Sequence, residues 1–181
     1  MTVEGTTVWR EASWQLLWQG EASNPPWRKV VLGLGDKSLG DDGLGIQVLP
    51  YLRAELGPRS PVEWIDGRAL DMNLMPLVEQ CSHLLVVDAV DAGRPPGALV
   101  DLSLLNLLKP NGHKFTEHQA TFQDVLELAL VLDQAPAHFR LIGLQPGSLA
   151  PGVALSKPVT KALPALCGRA ADVLDGWGLL G

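Results

Sequence analysis

The residues of this chain best suited to chemistry are carboxylates placed after apolar runs. Asp41 and Asp42 follow Val30-Val31-Leu32-Gly33 through a glycine-punctuated turn, Asp66 ends Val62-Glu63-Trp64-Ile65, and Asp88 ends His83-Leu84-Leu85-Val86-Val87. A short apolar run ending at such a turn, with an amphipathic segment behind it, reads as a buried parallel strand, a tight loop and a helix. Open α/β sheets hold their ligands beyond the carboxyl ends of the strands, so these acids are expected to gather at one edge. Carboxylates there repel phosphate and attract a cation. Of the four histidines, His83 and His138 open strands at the opposite end of the sheet, and His113 lies in a polar loop. His118 comes just before a helix expected to open at Thr121, within reach of the acidic edge. Asp42, Asp88 and His118 together would make two carboxylates and one imidazole, a set suited to Ni²⁺ or Zn²⁺ and weakly specific between them.

Other chemistries fit less well. Gly35 and Gly40 have the spacing of a phosphate-binding loop, but Asp41 and Asp42 stand where its lysine and hydroxyl belong. Gly33 and Gly35 open a dinucleotide fingerprint whose third glycine is replaced by Ser38. The chain contains no G-x-S-x-G elbow and no H-E-x-x-H pair. Ser148, in Gln145-Pro146-Gly147-Ser148, reads as a turn residue. Cys81 and Cys167 are far apart and form no C-x-x-C, which points to a reducing cytoplasm.

The elements that must position these residues follow from the pattern. Leu44–Leu56 is expected to be a helix with Pro50 as an irregularity, and Leu70–Gln80 a second, interrupted near Pro76. Ala98–Leu102 reads as an edge strand and Phe139–Leu144 as another strand, with residues 106–117 irregular between them. Thr121 and Asp124 resemble a capping box opening a helix through Leu132, and a last helix runs from about Pro158 to Leu174. Alternating strands and helices imply one three-layer α/β domain over residues 28–181, with a mostly parallel sheet of about five strands. Residues 1–27 carry four of the six tryptophans and read as an appendage that covers core surface or docks a partner.

At 181 residues the chain suits a single domain with a sizeable core. Its net charge of −6 argues against a nucleic-acid partner and leaves no basic patch for anionic lipid. No apolar run approaches membrane-spanning length, and the first residues lack a basic secretory leader.

Four motifs in order resemble the nickel–iron hydrogenase maturation endopeptidases. They are Gly33-Leu34-Gly35-Asp36 through Leu39-Gly40-Asp41-Asp42-Gly43-Leu44-Gly45, Val87-Asp88-Ala89-Val90-Asp91-Ala92-Gly93, Glu117-His118-Gln119, and Ile142-Gly143-Leu144-Gln145-Pro146-Gly147-Ser148-Leu149. The resemblance runs from about Lys29 to Leu174 and leaves out the first 27 residues. It implies an α/β endopeptidase that recognises nickel in an immature hydrogenase large subunit and removes its C-terminal extension. Carried over by position, the family's acidic ligands fall on Asp42 and Asp88 and its histidine on His118, with Asp41 and Asp66 less certain. Nickel is then presented by the precursor, and no side-chain nucleophile is required. Asp41 is expected to hold the loop or to accept N–H bonds at the start of the Leu44 helix. Asp36 replaces the family's usual Asn and Arg68 its second Gly, so Arg68 is expected to pair with one of the acids or to contact the precursor. The alternatives are a non-catalytic α/β domain binding a small molecule at the same edge, and a metal-binding assembly factor.

Overall fold

The apolar runs become five strands: β1 (Arg28–Gly33), β2 (Glu63–Asp66), β3 (Cys81–Ala89), β4 (Leu99–Leu102) and β5 (His138–Leu144). They form one sheet in the order β2-β1-β3-β5-β4. β2, β1, β3 and β5 run parallel, while β4 pairs antiparallel with β5 at one edge. The computed structural model describes residues 27–70, 74–109, 117–152 and 154–181, and for 69, 70 and 117–121 it describes the backbone alone. The Trp-rich segment, apart from Trp27, and His113 lie outside the described residues.

The helices are α1 (Leu44–Leu56), α2 (Leu74–Glu79), α3 (Leu104–Leu107), α4 (Glu117–Val131) and α5 (Lys157–Gly176). Side chains alternate across each strand, so the sheet needs cover on both faces. Val31, Leu85, Val87 and Ile142 pack with Leu52 of α1 and Leu166 of α5. Val30, Leu32, Leu84 and Leu141 pack on the other face with Leu77 of α2 and Phe122 and Leu126 of α4. This is the three-layer α/β architecture expected from the alternation of elements. Pro50 does not interrupt α1, and Pro76 falls in the first turn of α2, where its missing N–H costs no helix bond.

Helix α4 corrects one boundary. It opens at Glu117, four residues before Thr121, so His118 belongs to the helix's first turn and not to a loop. Glu117, Gln119 and Ala120 all favour helix, and Thr116 with Gln119 forms an earlier capping box in the sequence. The later box was the weaker signal.

From β1 the chain passes outward to β2 and then crosses back to β3 on the other side of β1. The sheet's direction of winding therefore reverses between β1 and β3. That switch point, at the carboxyl edge, is where open α/β sheets hold their ligands.

Candidate active site

Asp42 and Asp88 stand at this edge. Beyond β1, the Leu34 N–H donates to the Val87 carbonyl at 3.0 Å, so the ladder continues up to the turn. The chain then bends at Gly35, whose φ of +112° is rarely adopted by other residues. A Cβ there would lie 1.8 Å from the Asp42 carbonyl oxygen and 3.4 Å from Asp88 Oδ1. Glycine at position 35 is what allows the two acidic segments to close around the turn. Gly45 does similar work for α1: its Cβ would meet the Val87 carbonyl at 2.0 Å, so the helix start sits directly on β3 beside Asp88. Asp42 and Asp88 are 2% and 1% exposed. Asp42 Oδ2 accepts from the Asp36 N–H at 2.8 Å, and Asp88 Oδ1 accepts from the Ala89 N–H at 2.7 Å.

Asp41, on the same 3-10 turn (Gly40–Gly43), is 1% exposed and does something else. Its Oδ2 accepts from the Gly147 and Ser148 N–H groups at 2.7 and 3.0 Å, and its Oδ1 accepts from the Ser156 N–H at 2.6 Å. Burial pushes the Asp41 carboxyl up, but these backbone donors outweigh it, so it titrates below the ordinary aspartate value. The loop-holding role expected of Asp41 is present, but its partners are in the β5–α5 loop. Neither the 3-10 turn nor α1 has a side-chain cap bond, which corrects the expectation of a cap at the Leu44 helix. Backbone bonds reinforce the latch, from Gly40 N–H to Gly152 O (2.6 Å) and from Asp41 N–H to Ser148 O (3.0 Å).

Asp66 ends β2 at the same sheet edge, opposite Gly33. It is taken up by Arg68, whose Nε and Nη2 donate to its two oxygens at 3.2 and 2.7 Å. That bond holds the Asp66 carboxyl below its ordinary value. The pair is exposed, so Arg68→Ala is expected to leave the thermal unfolding midpoint almost unchanged. A clear drop in calorimetry would show instead that this pair supports the turn after β2.

His118 is assigned to the first turn of α4, and its side chain lies outside the description. Among the described residues no group of three His, Cys, Asp or Glu side chains stands close enough to hold a metal ion. Asp42 and Asp88 are the described members of the expected set. Cys81 is buried, which pushes its thiol up to about 11 and leaves it largely protonated at neutral pH. Ser148 keeps to its turn, its Oγ accepting from the Ala150 N–H at 3.3 Å. His83 and His138 stack at a ring separation of 4.2 Å near the amino ends of β3 and β5, away from the acids.

Gln145 is the residue that the sequence reading left without a role. Buried at the end of β5, it accepts through Oε1 from the Ala92 and Arg94 N–H groups at 2.8 and 3.0 Å. Its Nε2 donates to Asp91 Oδ1 at 2.9 Å, so one amide braces the turn after β3. Its place between a strand and Pro146-Gly147 was the available signal. The arrangement as a whole offers two buried carboxylates on a rigid edge, able to ligate a cation or accept a proton.

Residues 46–173 match the family described as HycI, hydrogenase maturation protease. The hydrogenase expression/formation protein HoxM of Cupriavidus necator is 33% identical over 151 residues, covering 82% of this chain and 75% of its own. HupD of Rhodobacter capsulatus is 31% identical over 156 residues, covering 85% and 74%. Among solved structures, the hydrogenase maturating endopeptidase HybD from Escherichia coli aligns with a TM-score of 0.69 at 25% identity, over 83% of this chain and 94% of its own. The family match, the sequence relatives and the fold agree, and the chain belongs to the hydrogenase maturation protease family and is a peptidase.

Proposed function

We propose that this protein is a nickel-dependent endopeptidase that removes the C-terminal extension of an immature nickel–iron hydrogenase large subunit. Its substrate carries the metal, and Asp42, Asp88 and His118 are the groups that meet it. The observation that carries this reading is the pair of buried carboxylates, Asp42 and Asp88, closed around Gly35 at the point where the sheet's winding reverses. Helix α4 comes directly before β5 in the chain, an order that supports a place for its first turn, with His118, near the same edge. Two oxygens and an imidazole nitrogen suit Ni²⁺, and three protein ligands leave positions for the precursor's own.

Bound nickel supplies coordination and Lewis-acid polarisation. The chain's residues do the remaining work. The Asp42 and Asp88 carboxylates orient the metal-bearing segment, and one of them can take a proton from attacking water. Burial at the sheet edge keeps bulk solvent from competing for them. Arg68 does not divert either acid, because Asp66 occupies it. The reaction belongs in a reducing cytoplasm, where Cys81 and Cys167 remain thiols, with neither nucleic acid nor membrane as partner. Among the described residues no helix is long and apolar enough to cross a membrane.

The test is to incubate the protein with nickel-loaded and nickel-free precursor and weigh the products. Nickel-loaded precursor is expected to lose its extension and nickel-free precursor to stay intact. Binding without any mass loss would identify a non-catalytic assembly factor. Efficient cutting of the nickel-free form would show that peptide sequence alone is recognised.

A further inference from the structure

A pocket of about 540 Å³ lies between α1 and β2, beside the candidate site. Buried Ile46 and Leu49 with half-buried Trp64 give it an apolar floor, and Lys37, Arg53 and Asp66 bring charge to it. Asp66 is already neutralised by the two-pronged bond from Arg68. The remaining cations on the pocket wall are Arg53 and Lys37, the latter also acting on Asp66 through space, in a protein whose net charge is −6. An apolar floor with two cations suits a carboxylate flanked by apolar groups.

Position supplies the distance to the chemistry. Gly33 of β1 is in register with Asp66 on one side and with Val87, the neighbour of Asp88, on the other. Two strand spacings of ~4.8 Å put the Asp66 end of the pocket about 10 Å from Asp88. An extended peptide covers that distance in about three residues. Residues before the scissile bond remain tied to the folded subunit, whereas the extension must be held by the protease alone.

On the basis of the function proposed above, we infer that this pocket is a specificity subsite. It takes an acidic side chain, flanked by apolar residues, about three positions from the cleaved bond on the extension side of the precursor. Lys37 and Arg53 read the carboxylate, and Trp64 packs on its apolar neighbours.

The probe is a short N-acetylated, C-amidated apolar peptide carrying one Asp, compared by fluorescence anisotropy with its Asn counterpart. The wild-type protein is expected to prefer the Asp peptide by about tenfold. Arg53→Gln and Lys37→Gln should each remove most of that preference, and Arg53, being exposed, can be changed without disturbing the core. With the nickel-loaded precursor, Arg53→Gln should raise KM about tenfold and leave kcat unchanged. Equal binding of the two peptides, or a preference that survives both substitutions, overturns the subsite. So does a preference seen only when the amide is replaced by a free C-terminal carboxylate. Wild-type protein that leaves nickel-loaded precursor uncut defeats the proposed function, while peptide binding decides the pocket separately.

Discussion

Asp42→Asn and Asp88→Asn are each expected to cut processing of nickel-loaded precursor by roughly 10²–10⁴-fold while the protein stays folded. The separation rests on the bonds that each side chain makes. Asp42 accepts from the Asp36 N–H through one oxygen, and Asp88 accepts from the Ala89 N–H through one oxygen. Asparagine retains one acceptor oxygen, so either backbone bond can persist. What disappears is the negative charge needed to meet a cation or to take a proton. His118→Ala should match the activity loss. Cleavage followed by mass spectrometry, with calorimetry on the same samples, decides the matter. Processing at the wild-type rate in Asp42→Asn removes that residue from the site, and loss of fold together with activity makes it structural.

Asp41→Ala is expected to have the largest effect on stability. It strips the acceptor from three N–H groups, at Gly147, Ser148 and Ser156, and so releases the β5–α5 loop from the turn that carries Asp42. Orphaned donors cost about 1–3 kcal/mol each, and loop relaxation recovers part of that, leaving a loss of roughly 3–5 kcal/mol. At the usual 2–4 °C per kcal/mol for a chain of this size, the midpoint should fall by roughly 6–20 °C. The pH dependence has a definite sign. The folded Asp41 carboxyl titrates below its unfolded counterpart, so its contribution is complete above the unfolded value of about 3.9 and is lost as pH falls toward the folded one. Wild-type and variant melting curves should therefore converge in strong acid. Parallel curves at every pH would show that the latch acts through shape and not through charge.

The sequence alone determined the element types and which strand ends carry acid. The runs around Val31, Leu85 and Ile142 are apolar at successive positions because both sheet faces are covered, and that pattern needs no tertiary information to read. The strand-to-helix alternation and the glycine spacing from Gly33 to Gly45 likewise pointed to a tight loop between a strand and a helix. The family resemblance set Asp41 apart from Asp42 as the loop holder, but only the tertiary structure named its partners. Adjacent residues on a one-turn helix look alike in sequence, and what divides them is the β5–α5 loop, more than 100 residues away, whose three N–H groups turn toward Asp41. That Arg68 would pair with an acid was an expectation, but the choice of Asp66 and the brace built by Gln145 were hidden for the same reason, since side-chain direction depends on backbone closure and not on spacing. The start of α4 was missed on local grounds: two capping boxes overlap in the sequence, and the helix begins at Glu117, where Glu117, Gln119 and Ala120 favour it. Local propensity therefore settles the elements, while the partners of buried polar groups are chosen when loops distant in sequence close over them.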